Sequence, residues 1–166
     1  MLCMSSHPKN PIEIRYAQPK DRDVLAELFL KLLQFLDQFE HDMLPTLENA
    51  QKMTDQVFMP AATRREPILI AWDEEKPVGA IFWPIQNIPY STRWKTAFGY
   101  GTYLDKEYRN KKLGTEMKRR AIEILKLLGV QKLLGTVLLK NEIAVKFCDH
   151  QDDYVPFARV DILHIQ

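Results

Sequence analysis

Cysteine is almost absent from this chain. Cys3 and Cys148 are the two among 166 residues, too few for a disulfide framework and without the spacing of metal ligands. No metal site is expected, and the expected compartment is a reducing one, the cytoplasm. An excess of one charge sign is also missing. The formal net charge is +1, which excludes a global attraction to nucleic acid or to a membrane surface. No apolar run is long enough to cross a bilayer. The opening Met-Leu-Cys-Met-Ser-Ser-His lacks the apolar core of a signal peptide. Internal repeats and low-complexity tracts are missing too. The length fits one domain with a sizeable core; residues 1–11 read as a loose leader and 12–166 as the domain.

What is present is a local concentration of positive charge around residues 106–120. It belongs to a stretch, Thr102 to Lys126, that reads as a strand end, a short basic loop and a helix. Thr102, Tyr103 and Leu104 have strand character. Asp105 to Lys112 is polar apart from Tyr108. From Leu113 the apolar residues Leu113, Met117, Ala121, Ile124, Leu125 and Leu128 mark one face of a helix, and Gly129 supplies a stop. A helix start presents free N–H groups and the positive end of the macrodipole, which suits phosphate. Gly114 has no Cβ to keep a ligand from the backbone. Arg109, Lys111 and Lys112 add charge beside it. The stretch describes a seat for a pyrophosphate.

The remaining elements follow from periodicity. Ile12–Tyr16 alternates as a half-buried strand, and Asp21 is placed to cap a helix reaching Phe39. A second helix is expected from Pro45 or Thr46 towards Ala62. Pro67–Trp72 and Val78–Trp83 read as a hairpin around Asp73–Lys76, with Pro84 marking a bulge or an edge. A turn near Pro89–Arg93 leads into a strand over Thr96–Leu104. After the organising helix come a strand over Lys132–Leu139, a helix from Asn141 to His150, and an edge strand from Tyr154 to Ile165.

Arg109-Asn110-Lys111-Lys112-Leu113-Gly114 resembles the acyl-CoA signature Gln/Arg-x-x-Gly-x-Gly/Ala of the GNAT superfamily of N-acyltransferases. Arg109 and Gly114 match its first and last positions, whereas Lys112 stands in place of the middle glycine and restricts the backbone there. Asn141-Glu-Ile-Ala144-Val-Lys-Phe147-Cys148 resembles the family's Asn-x-x-Ala-x-x-Phe-Tyr, with Cys148 in place of the Tyr. The resemblance covers nearly the whole chain from Ile12. It implies an α/β (α+β) fold, a mixed and mostly antiparallel central sheet flanked by helices, in the order β-α-α-β-β-β-α-β-α-β. It also implies acetyl-CoA as co-substrate, held by Tyr103, Leu104, Arg109, Asn110, Lys111, Lys112, Leu113, Gly114, Thr115 and Asn141. The Leu104 amide is the implied donor to the thioester carbonyl. Cys148 takes the place of the usual acid near the sulfur, with Tyr154 or Tyr103 as substitutes. The family often has a Glu base on the strand that here is Thr96–Leu104, and this strand has no carboxylate. The Glu40-His41-Asp42 cluster lies where the family builds its acceptor pocket.

Three function classes compete. The first is an N-acetyltransferase acting on an amine of a small molecule or peptide. The second is an acyl-CoA-binding or sensor domain without turnover, motivated by Lys112 and Cys148. The third is a nucleic-acid module using Lys118, Arg119 and Arg120. Glu116 and Glu123 interrupt that basic cluster and no aromatic residue stacks beside it, so neither nucleic acid nor membrane is an expected partner. A homodimer is left open.

Overall fold

Strand β1 (Glu13–Tyr16) turns Ile14 into the interior, as alternation requires. The computed structural model describes residues 11–41, 43–86 and 94–149, which divide into two units after Thr136. A 3-10 turn (Pro19–Asp21) feeds helix α1 (Arg22–Asp37). Asp21 stands at the cap position but makes no cap bond. Its buried carboxylate instead takes Arg15 at 2.6 Å and the Gln18 amide at 2.8 Å.

The expected second helix is present but not uniform. Helix α2 (Leu47–Met53) starts from Thr46, whose hydroxyl accepts from the Asn49 amide. A π turn over Thr54–Phe58 then leads into α3 (Met59–Thr63). Pro60 explains the wider turn: it has no N–H for Gln56, and its ring crowds that carbonyl.

Strands β2 (Ile68–Asp73) and β3 (Lys76–Phe82) form the expected hairpin. With β5 (Gly101–Leu104) they make a four-stranded antiparallel sheet in the order β1-β2-β3-β5. Strand β4 (Thr96–Gly99) pairs in parallel with β6 (Lys132–Gly135). The chain beyond β3 reaches β4 through Phe98 N–H to Pro84 O and Gln86 N–H to Thr96 O, at 2.9 and 3.1 Å.

The expected single strand over Thr96–Leu104 is therefore two strands. The break is a bulge at Tyr100–Gly101. Tyr100 donates to Phe82 O at 2.9 Å while Gly101 is itself opposite Phe82. Gly101 has a φ of 151°, and a Cβ there would lie 2.7 Å from Leu32 Cδ2. The bulge changes which residues share a face. Phe98, Tyr100, Gly101 and Tyr103 look towards α1 and α2; Ala97, Thr102 and Leu104 look towards α4 (Leu113–Leu127).

Two apolar layers sandwich the sheet. Phe29, Phe58 and Phe82 interlock on the α1 and α2 side, with ring centroids 4.8 to 5.1 Å apart. Met117, Ala121 and Leu125 of α4 cover Leu69, Val78 and Ile81 on the other side. Each large apolar side chain so buried contributes about 1.5–3 kcal/mol. The strand expected over Lys132–Leu139 ends at Gly135. In the second unit, Asn141 caps α5 (Glu142–Asp149), its Oδ1 accepting from Ala144 N at 3.2 Å. The turn expected near Pro89–Arg93 and the strand expected over Tyr154–Ile165 lie outside the described residues.

Candidate active site

The Asp105 amide donates to Val78 O at 2.9 Å, which sets the direction of every backbone group on β5. Amides alternate between the two edges of a strand, so Tyr103 and Asp105 face β3. Thr102 and Leu104 face the other edge, and β5 is the last strand of its sheet among the described residues. Strand β4 holds β6 only as far as Gly99–Gly135. A wedge therefore opens along β5, lined by the Thr102 and Leu104 amides about 7 Å apart. The sequence pointed to Leu104. Thr102 is the second outward amide, and Gly99-Tyr100-Gly101 inside a strand was the signal for the bulge that exposes it.

The loop after β5 is braced from three directions. Arg109 Nε donates to Leu104 O at 2.9 Å, and its guanidinium carbon lies 5.1 Å from the Phe35 ring centroid on α1. Arg109 thus holds the loop to the strand end rather than projecting freely. From the β2–β3 hairpin, Asp73 accepts from the Tyr108 hydroxyl and Lys76 meets Glu107 at 2.9 Å. Lys111 Nζ sits 5.8 Å from the Tyr108 ring centroid. Asn110 and Lys112 both take left-handed backbone, with φ of 59° and 63°.

Lys112 is exposed and occupies the cap position of α4 without supplying a side-chain cap. The first helical bond runs from Glu116 N to Lys112 O at 3.0 Å. The amides of Leu113, Gly114 and Thr115 precede it, so the helix leaves them free for an anion. The Leu113 side chain is buried in the α4 layer, and only its backbone serves this end. A Cβ on Gly114 would lie 3.2 Å from Leu104 Cδ1. This glycine therefore lets α4 close on β5, and the ligand side of the loop is set by amides rather than by the missing Cβ.

On the α1 side of the strand end, Asp105 is buried and paired. It takes Lys31 Nζ at 3.1 Å and the Tyr103 hydroxyl at 3.0 Å. Burial, then the hydrogen bond to Asp105, pushes the Tyr103 phenol up to about 12. That makes it a poor proton donor at neutral pH. Farther along the same face, Phe98 and Tyr100 pack edge to face at 5.0 Å, and Gln86 Nε2 donates to the Tyr100 hydroxyl at 2.9 Å.

Asn141 is the cap of α5 in the second unit. Cys148 falls within α5, its side chain lying outside what is described, as does Tyr154. His41 is exposed after α1, and Asp42 is outside the described residues.

An outward pair of strand amides leading to an uncapped, cation-flanked helix start can hold an extended chain that ends in phosphates. Comparison with known proteins agrees. Several solved structures share the fold. Aminoglycoside N-acetyltransferase AAC(6')-Iy in complex with CoA superposes with a TM-score of 0.67 at 10% identity, over 94% of this chain and 95% of that one. An aminoglycoside acetyltransferase from an uncultured soil metagenomic sample, in complex with sisomicin, gives 0.61 at 16% identity, over 93% and 94%. Glucosamine-6-phosphate N-acetyltransferase from Arabidopsis thaliana gives 0.57 at 17% identity, over 91% and 99%. No curated protein matches the sequence. The model of the acetyltransferase (GNAT) family matches residues 30–151, the span that contains the second half of α1, the wedge, the signature loop and α5. The chain belongs to the GNAT family of acetyltransferases.

Proposed function

We propose that this chain is an N-acetyltransferase that moves the acetyl group of acetyl-CoA to an amine of a small molecule or peptide by direct attack. The observation that carries the reading is the pair of outward backbone donors of Thr102 and Leu104, on the β5 edge that no described strand covers, followed by the uncapped start of α4. The residues fit acetyl-CoA. Amides of Leu113, Gly114 and Thr115 would hold the pyrophosphate, with Lys111 and Lys112 adding charge and Arg109 fixing the loop. The bound thioester supplies an activated carbonyl carbon. The Thr102 and Leu104 amides would donate to carbonyl oxygens of the bound co-substrate, and a donor at the reacting carbonyl would stabilise the negative charge that develops there.

The proton needed by the departing sulfur is assigned to Cys148 or Tyr154, since the Tyr103 hydroxyl is committed to Asp105. Two measurements test the reading. Acetyl-CoA should raise the melting temperature, and a panel of amines should release free CoA thiol. The absence of any acetyl-CoA effect would sink the proposal. A melting shift without turnover on any amine would favour the acyl-CoA sensor reading.

A further inference from the structure

The bulge at Tyr100 does more than open the wedge. It brings Phe98, Tyr100 and Gly101 to one face at the point where β4 ends its pairing with β6 and β5 begins. This face looks away from α4, towards α1 and the π turn. Phe58, the last residue of that turn, meets the Tyr100 ring at 5.4 Å. Phe98, Tyr100 and Gln86 are each only half-buried, so the wall they form is accessible. Its polar content is small and specific. Gln86 Nε2 donates to the Tyr100 oxygen, which leaves one phenol O–H to donate and one amide carbonyl to accept.

Three carboxylates of the described elements around this wall are already occupied. Asp105 is held by Lys31 and Tyr103. Glu66 takes Arg64 Nε at 2.7 Å and the Ile85 amide at 2.8 Å, one residue from Gln86. Asp55 on the π turn forks with Arg22. A polycation must exchange the hydration of each ammonium for a carboxylate or lose binding energy. This wall offers ring faces and one hydroxyl–amide pair instead.

Resting on the acetyltransferase reading, we infer that the acceptor is a primary amine on an apolar, ring-bearing body, seated on Phe98 and Tyr100 and oriented by the Tyr100–Gln86 pair. The described wall has no carboxylate to act as base, so the amine reacts in its neutral form. Its lone pair makes the N–C bond as the C–S bond breaks. The sulfur departs as thiolate and takes up one proton, and the nitrogen loses one to water. The pH at which kcat/KM levels off then follows the pKa of each acceptor rather than one protein group.

The test compares kcat/KM for benzylamine, phenethylamine, spermidine and kanamycin, with acetyl-CoA binding titrated separately. Arylalkylamines should lead. Tyr100→Phe and Gln86→Leu should each raise acceptor KM about five- to tenfold, the loss of one hydrogen bond, with acetyl-CoA affinity unchanged. Phe98→Glu should move preference towards spermidine. Turnover that favours kanamycin or spermidine in the wild type, or one pH inflection shared by all acceptors, overturns the inference and leaves the acetyltransferase reading standing. Failure to bind acetyl-CoA, or binding without turnover on any amine, overturns both.

Discussion

Lys112 is a lysine doing a glycine's work. Its φ of 63° puts a Cβ against the following carbonyl, a conformation that costs an L-residue about 1–2 kcal/mol. Glycine would relax that strain but adds disorder to the unfolded chain. Lys112→Gly should therefore change stability by less than about 1 kcal/mol in chemical denaturation. The same variant should bind acetyl-CoA more weakly at low salt and nearly as well as wild type at high salt, because a flexible cation near phosphate is screened. Affinity unaltered at every salt concentration would detach Lys112 from the phosphates. Tyr103 gives a second residue-scale test. Its phenol is raised to about 12 by burial and by Asp105. The folded state therefore holds the proton more tightly than the unfolded one, and stability falls as pH rises from about 10, the ordinary phenol value, towards about 12. Tyr103→Phe should flatten that part of the alkaline unfolding curve. An unchanged slope would show that the phenol is not held in this way.

The bulge between β4 and β5 is the element whose failure would spread furthest. At Gly101 any Cβ meets both a φ of 151° and the Leu32 side chain at 2.7 Å. Gly101→Ala should cost about 2–5 kcal/mol, strain and overlap together, read as a lower denaturation midpoint. A loss below about 1 kcal/mol would mean that β5 can slide past α1. Elements differ in how far the sequence announces them. Helix α4 is legible because Met117, Ala121 and Leu125 repeat at helical spacing and are buried as that spacing requires. Loop 109–114 is legible because its chemistry is local. The bulge is less so: β-rich residues continue through Tyr100, Gly99 and Gly101 alone hint at a break, and hydrogen bonding to Phe82 shows the shift. The π turn is hidden for a related reason: one extra residue leaves Phe58 buried and Val57 half-buried, so apolar content is preserved. The bond from Arg109 Nε to Leu104 O is not legible, because it depends on where the loop folds back on the strand end. The closeness of Gly114 to Leu104 is likewise visible only in the fold.

At the scale of the whole molecule, ligand and fold are linked through the start of α4. Acetyl-CoA at about 100 times its Kd should add about 2.7 kcal/mol of stability, a rise of roughly 5–10 °C in Tm for a chain of this size. Gly114→Val should lose most of that rise, because the added methyls push Leu104 and shift the helix start away from β5. A full ligand-induced rise in this variant would place the phosphates elsewhere. The wedge also separates two kinds of recognition. On the proposed reading, cofactor contacts on β5 fall to amides, which every amino acid except proline supplies. Contacts across the bulge fall to side chains, which any mutation can rewrite. Selection for a new acceptor can therefore alter Phe98, Tyr100 or Gln86 and leave the donors at 102 and 104 in place. A backbone that keeps its shape while its side chains drift would carry one co-substrate through many chemistries, and chains sharing as little as 10% of their residues can still superpose on this one.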